Sequence, residues 1–260
     1  MLEAALKEIG PLVSYHQQVF RIVETQAYAA TTTLVDDLNE QALLEQMLDE
    51  VKPPYKTMGH AQTLHYLIST PFRYPPLKYG SRFGSRYMAG YFYASEDELT
   101  SLAECAYYRF CFLAAMSEPY RATIQSDHMM FSVSVSSHCA ADLTKVSTGF
   151  IIDSLKGQRD YSFTQALGKM LVEEHSAKVI RYFSARSSVR TSAKTTEDAN
   201  VGINVAIATP SEITSAKPEN SVNWICHTTE EVISFNSRGL QCVSFPRSQF
   251  CVNGEFSQPA

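Results

Sequence analysis

The chain has no apolar run approaching the ~20 residues that a helix needs to cross a bilayer, so no membrane span is expected. It has no excess of positive charge. Lys and Arg number 22 against 27 Asp and Glu, a formal net charge of -5, and no basic run stands out. A general nucleic-acid binder would need such a run to release counterions, so direct nucleic-acid binding is not expected. A local basic pocket for a phosphorylated small molecule is still compatible with this balance. The six cysteines form no CxxC and no zinc-ligand spacing, and the seven histidines form no HExxH. No metal is expected, and the thiols read as buried and free, in a reducing compartment. The opening MLEAALKEIGPLVSYH carries early acidic residues and no uninterrupted apolar core. No secretory signal is evident there, and a cytoplasmic protein is expected. The GxGxxG of dinucleotide folds, the P-loop and the GxSxG elbow are all missing.

What is present is ordinary globular material, with 45% hydrophobic and 19% charged residues over a length of 260 that can bury a substantial core. Leu34–Val51 places Leu38, Ala42, Leu43, Met47 and Leu48 at helical spacing, with acids opposite, and Lys52-Pro53-Pro54 ends that helix. The stretch 60–70 reads as a short helix stopped by Pro71. GYFYAS at 90–95 is a short strand, and Ser95 with Glu98 has capping-box spacing for a helix from about 96 to 116. Its apolar stripe is Leu99, Leu102, Ala103, Ala106, Phe110 and Leu113. The region 123–137 alternates as a half-buried strand, and 160–174 reads as a helix. The segment 177–190 is a strand running into a turn, and 191–199 a polar loop. GINVAIATP, NWICHTTEEVISF and GLQCVSF read as three more strands, with a frayed tail from Asn253. Strands and helices do not alternate as in a doubly wound sheet. The fold expected is α+β, with mixed small sheets and flanking helices. One domain over 1–260 is expected, with a partly helical N-terminal region to about 60 and a motif-bearing core over 61–210.

The chemistry concentrates between Tyr79 and Arg109. Arg82, Tyr93 and Glu104 stand eleven residues apart, on a loop, a strand and a helix. In Gly80-Ser81-Arg82-Phe83-Gly84-Ser85-Arg86, glycines admit close backbone approach and arginines pair with phosphate oxygens. Tyr93 also reads as strand packing. Glu104 lies near the buried face of its helix, where a lone carboxylate is costly. An ion pair with Arg109 or Arg82 is the structural alternative to a catalytic role. Arg186-Ser187-Ser188-Val189-Arg190 adds a serine at a strand end, suited to orienting a ligand. Brought together, a guanidinium, a phenol and a carboxylate can grip an anionic nucleotide and act on its glycosidic bond.

Taken together these segments resemble the RES domain, a family of bacterial toxins usually paired with a helix-turn-helix antitoxin of the Xre type. The resemblance runs through Phe20-Arg21-Ile22, GSRF at 80–83, GYFYAS containing Tyr93, LTSLAE ending in Glu104, and SSVR at 187–190. Many members have Gly-Gly-Arg-Trp-Asn where this chain has Gly-Ser-Arg-Phe-Gly, and the stretch between Arg21 and Arg82 is long. The resemblance implies a fold similar to ADP-ribosyltransferases and a chemistry that consumes NAD as substrate. It implies Arg82, Tyr93, Glu104 and Ser188 as catalytic residues, and Arg21, Arg73 and Phe83 as residues that hold NAD. An NAD-cleaving toxin neutralised by an Xre-type antitoxin is the leading expectation, with water or phosphate as acceptor. ADP-ribosyl transfer to a protein and a non-catalytic nucleotide-binding module are the alternatives.

Overall fold

The structure, a computed structural model, describes residues 1–25, 34–52, 63–76, 78–118, 122–186, 201–237, 241–252 and 254–256. In chain order its elements are α1 (Leu2–Ile9), β1 (Val13–Glu24), α2 (Leu38–Glu50), α3 (Tyr66–Arg73), β2 (Phe92–Ser95), α4 (Glu98–Ala114) and β3 (Ile124–Asp142). There follow α5 (Gly149–Leu155), α6 (Ser162–Lys169), β4 (Val179–Phe183), β5 (Ile203–Ile207), β6 (Glu219–Thr228), β7 (Val232–Ser237), β8 (Gln241–Pro246), β9 (Cys251–Val252) and β10 (Glu255–Phe256). The fold is α+β, with helices flanking a large mixed sheet.

The sheet runs β1-β2-β5-β4-β3-β6-β7-β8, and β1 also pairs with β3, so the first five strands close on themselves. All of these pairings are antiparallel except β3–β4. The 19-residue β3 joins the closed part to the open extension: it pairs with β1 over much of its length, with β6 near its start and with β4 at its end. Alternation along the strands sends side chains to different cores. Val205 and Ile207 join Ile68 and Phe72 of α3, while Ala206 joins Leu167 of α6. A third cluster packs Leu102, Ala106 and Phe110 of α4 against Met130, Trp224 and Phe235. Fully burying a large apolar side chain contributes about 1.5–3 kcal/mol. Packing of that face therefore fixes where α4 holds its polar edge.

Several expectations are corrected. The α4 helix starts at Glu98 with Asp97 as its cap, accepting from Thr100 N at 2.7 Å. Ser95 stays in β2, where its hydroxyl is drawn to Asn204 across the sheet. Pro71 lies inside α3, which begins after His65, whose ring accepts from Leu67 N. NWICHTTEEVISF is two strands, because Thr229 turns the chain by bonding to Val232 through both its backbone N–H and its hydroxyl. Leu38, Leu43, Met47 and Leu48 on α2 are exposed and bury no apolar face. Glu255 and Phe256 pair with β9 instead of fraying, and Phe256 packs on Tyr107 and Phe110. Of the six free cysteines Cys226 is buried, Cys242 is exposed and the rest are intermediate. The polar stretch 191–199 lies outside the described residues.

Candidate active site

A cavity of ≈ 430 Å³ opens where β1, β2, α4 and the turn before β2 meet, and Arg21, Arg82, Tyr93 and Glu104 all line it. Arg21 arrives on β1, which pairs with β2, whereas the other three meet for a local reason. Turn, strand and helix follow one another along the chain, so each turns a side chain toward the same space.

The turn is held from within the cavity. Ser81 N–H donates to Gly84 O at 2.7 Å. The Tyr93 hydroxyl accepts from Phe83 N–H at 3.1 Å and shares a hydrogen bond with Ser81 Oγ at 2.9 Å. Burial pushes the Tyr93 phenol up to about 12, so it stays neutral. Gly80 has φ +78°, and a Cβ there would lie 2.5 Å from Gln165 Nε2, the group that donates to Tyr79 O and Ser81 O. Only glycine fits that crossing without strain.

Three guanidinium groups reach the cavity, and among the described residues none is ion-paired with a carboxylate. Arg82 donates to the carbonyls of Leu155 at 2.9 Å and Gly157 at 3.2 Å, and lies 4.8 Å over the Tyr161 ring. Arg21 donates to Tyr93 O at 3.1 Å and stacks on Phe92. Burial lowers Arg21 to about 10, which leaves it charged at neutral pH. Arg186, 2% exposed, sits 3.5 Å over the Tyr107 ring and donates from Nη2 to Tyr161 Oη at 3.3 Å. Its Nη1 is buried with no partner among the described residues.

Glu104 is gripped on one oxygen. Its Oε1 accepts from Ser184 Oγ and from Asn204 Nδ2, each at 2.6 Å. Asn204 Oδ1 in turn accepts from Ser95 Oγ at 2.7 Å, and Ser184 Oγ accepts from Arg186 N–H at 3.0 Å. Every donor to the carboxylate is neutral, so the group is oriented without being neutralised, and Oε2 has no hydrogen bond among the described residues. The ion pair expected as the alternative does not form. Arg109 bonds Glu24 at 2.8 Å, and Arg82 is engaged with carbonyls.

The remaining candidates fall elsewhere. Phe83 is fully buried, edge-on to Tyr182 at 4.8 Å, and contributes its backbone N–H rather than its ring. Arg73 ends α3 and does not line this cavity. Ser188 lies outside the described residues. Sequence reasoning missed Ser184, Asn204 and Arg186. Asn204 did leave a trace: an asparagine within Ile203-Asn204-Val205-Ala206-Ile207 is out of place in a strand unless it has a specific partner. Ser184 left none.

A fixed carboxylate facing unpaired guanidinium groups suits a ligand that is anionic along its length and develops positive charge at one carbon. The family model described as "RES domain" matches residues 53–225. No curated protein matches the chain. Among solved structures, the crystal structure of the M. tuberculosis MbcT–MbcA toxin–antitoxin complex aligns with a TM-score of 0.39 at 12% identity, covering 88% of this chain and 95% of that one. With residues 53–225, most of its length, matched by that family model, the chain belongs to the RES domain family.

Proposed function

We propose that this protein is the toxin of a toxin–antitoxin pair and that it depletes NAD by cleaving the nicotinamide N-glycosidic bond. The observation that carries the reading is the Glu104 carboxylate, held by neutral donors at a cavity lined by three guanidinium groups that no carboxylate pairs among the described residues. In this reading Arg21 and Arg82 neutralise the diphosphate, and Arg186 adds a third cation to the same cavity. Tyr93 fixes the turn that carries Arg82 and presents its ring to the substrate.

The C1′–N bond breaks with its electron pair moving into the pyridinium ring, so nicotinamide leaves as a neutral molecule and needs no general acid. Glu104 Oε2 meets the positive charge that develops on the ribose. A water or phosphate oxygen then bonds to C1′, and where water attacks, its proton passes to solvent. One well-placed electrostatic contact of this kind is worth about 3 kcal/mol. The remainder comes from positioning. The fold kinship with ADP-ribosyltransferases and an Xre-type antitoxin that covers the cavity belong to the same proposal.

The test is nicotinamide release from NAD by the purified protein, with phosphate present and absent. Release in either condition supports the reading, and the product, ADP-ribose or its phosphorylated form, names the acceptor. Label transferred to protein would make a side chain the acceptor. NAD left intact over hours, with phosphate present and no partner bound, overturns the reading.

A further inference from the structure

A second cavity, of ≈ 590 Å³, lies against the first and shares Arg21, Ser81, Tyr91 and Tyr93 with it. Its own walls come from α3 and the chain just after it, through Tyr66, Leu67, Thr70, Pro71 and Tyr74. Among the described residues Arg21 is the one charged residue in its lining. The wall is otherwise mostly apolar and aromatic, with hydroxyls from Thr70 and Ser81, and its two outer rings are exposed, Tyr66 at 65%, with His65 packed 4.5 Å away, and Tyr74 at 39%. On the shared wall Tyr91 is 6% exposed, and its hydroxyl is buried with no hydrogen-bond partner among the described residues. With almost no accessible surface, that oxygen is out of reach of anything in the cavity, and Tyr91 serves as wall.

We infer that this second cavity is the subsite for the distal, non-reacting nucleoside of a dinucleotide, with its planar base against Tyr66 and Tyr74. The inference rests on the reading that the glycosidic bond is cleaved beside Glu104. Glu104 lines only the first cavity, so the reacting ribose belongs there and the other nucleoside must go elsewhere. The bridge between two nucleosides is a diphosphate, and the one cation common to both cavities is Arg21. Open aromatic rings suit a base because stacking is sequence-tolerant and worth about 1–3 kcal/mol per base. The subsite makes this enzyme selective for a whole dinucleotide over a nicotinamide mononucleotide, which would fill the first cavity alone.

The experiment compares kcat/KM for NAD and for nicotinamide mononucleotide in the wild type, Tyr66→Ala and Thr70→Trp, alongside calorimetric binding of AMP. Tyr66 and Thr70 are exposed on the surface of α3, so both variants are expected to fold, and a melting curve checks this. The expected result is a preference for NAD of at least about tenfold, carried mostly by KM. That preference should shrink toward unity when Tyr66 loses its ring or Thr70→Trp fills the cavity. Cleavage of both substrates with equal efficiency, or a preference that survives both variants, overturns the subsite while leaving the chemistry beside Glu104 intact. If neither substrate is cleaved, the proposed reaction fails, and AMP binding decides the subsite. Binding lost in Thr70→Trp supports it, and absent or unaltered binding overturns it.

Discussion

Two glutamates eight residues apart, Glu96 and Glu104, flank the start of α4 and live in opposite electrostatic settings. Glu96 is spent. Arg181 clamps both its oxygens, Nε to Oε1 at 2.7 Å and Nη2 to Oε2 at 3.0 Å, while Tyr15 Oη adds a third bond. The same guanidinium reaches Asp142 and Thr144, tying β1, β3 and β4 to the end of β2. The bond to Glu96, ahead of the cost of burial, raises Arg181 further above its ordinary range. Glu104 has two neutral donors on one oxygen and no ion pair among the described residues. The difference teaches how to tell a structural carboxylate from a reserved one. A cation that binds a carboxylate at both oxygens uses up its field, whereas amide and hydroxyl donors fix its direction and leave its charge for a ligand.

The contrast is broken most severely at Glu104. Glu104→Gln keeps the shape and can still accept from Ser184 and Asn204, so melting temperature should hardly move. Nicotinamide release should fall about a thousandfold, the scale of removing one preorganised electrostatic contact. Arg181→Met is the mirror image. It strands a part-buried carboxylate and should cost about 2 kcal/mol, between the values for exposed and fully buried pairs. For a chain of this size that lowers the melting temperature by about 4–8 °C. Turnover per folded molecule should survive. If Arg181→Met abolished activity without loss of stability, the division between the two glutamates would be wrong.

Asn204→Ala sharpens the comparison. It removes one donor and frees Glu104 to rotate without touching the substrate, so kcat should fall about tenfold with KM little changed, as for a lost orienting hydrogen bond of ~1.4 kcal/mol. An equal loss in both parameters, or restored turnover in Asn204→Leu, would show that the amide only packs.

The smallest effect concerns Glu8, which docks α1 by accepting from the Thr148 hydroxyl and from the backbone N–H groups of Ser147 and Thr148. The Thr148 hydroxyl first, then those two N–H groups, lower its carboxyl to about 2. A depressed folded-state value means that the stabilisation is fully present above the unfolded value of about 4.3 and is lost as pH falls toward about 2. Protection of the α1 amides, taken relative to their intrinsic exchange rate at each pH, should therefore fall between about pH 4 and pH 2 in the wild type. In Glu8→Gln that protection should be lower and nearly flat over the window.

The sequence held the local part of this arrangement and little of the long-range part. Arg82, Tyr93 and Glu104 were legible because turn, strand and helix are adjacent in the chain, although the cavity they line also needs β1 and β5. Periodicity also found β2, β3, α4 and α6. The partners of Glu104 come from just past the end of β4 and from β5, which spacing cannot reveal because strand order is set by pairing. The same limit hid the role of Ser95. Its distance from Glu98 mimics a helix cap, but in the fold its hydroxyl belongs to Asn204. Apolar spacing on α2 predicted a helix correctly without saying that nothing would cover it.

The closed circuit of strands has a consequence for the order of events during synthesis. β1 pairs with β3 more than a hundred residues later in the chain, and β2 finds its second neighbour only at β5. Such distant pairing is slow, because chain closure must be completed before any contact rewards it. The cavity therefore cannot exist on a growing polypeptide until Asn204 has left the ribosome and β5 has been captured. A product that ends between Glu104 and Ser184 carries Arg82, Tyr93 and Glu104 but lacks both donors that aim the carboxylate. A cavity with its carboxylate aimed is therefore assembled only after most of the chain has been translated.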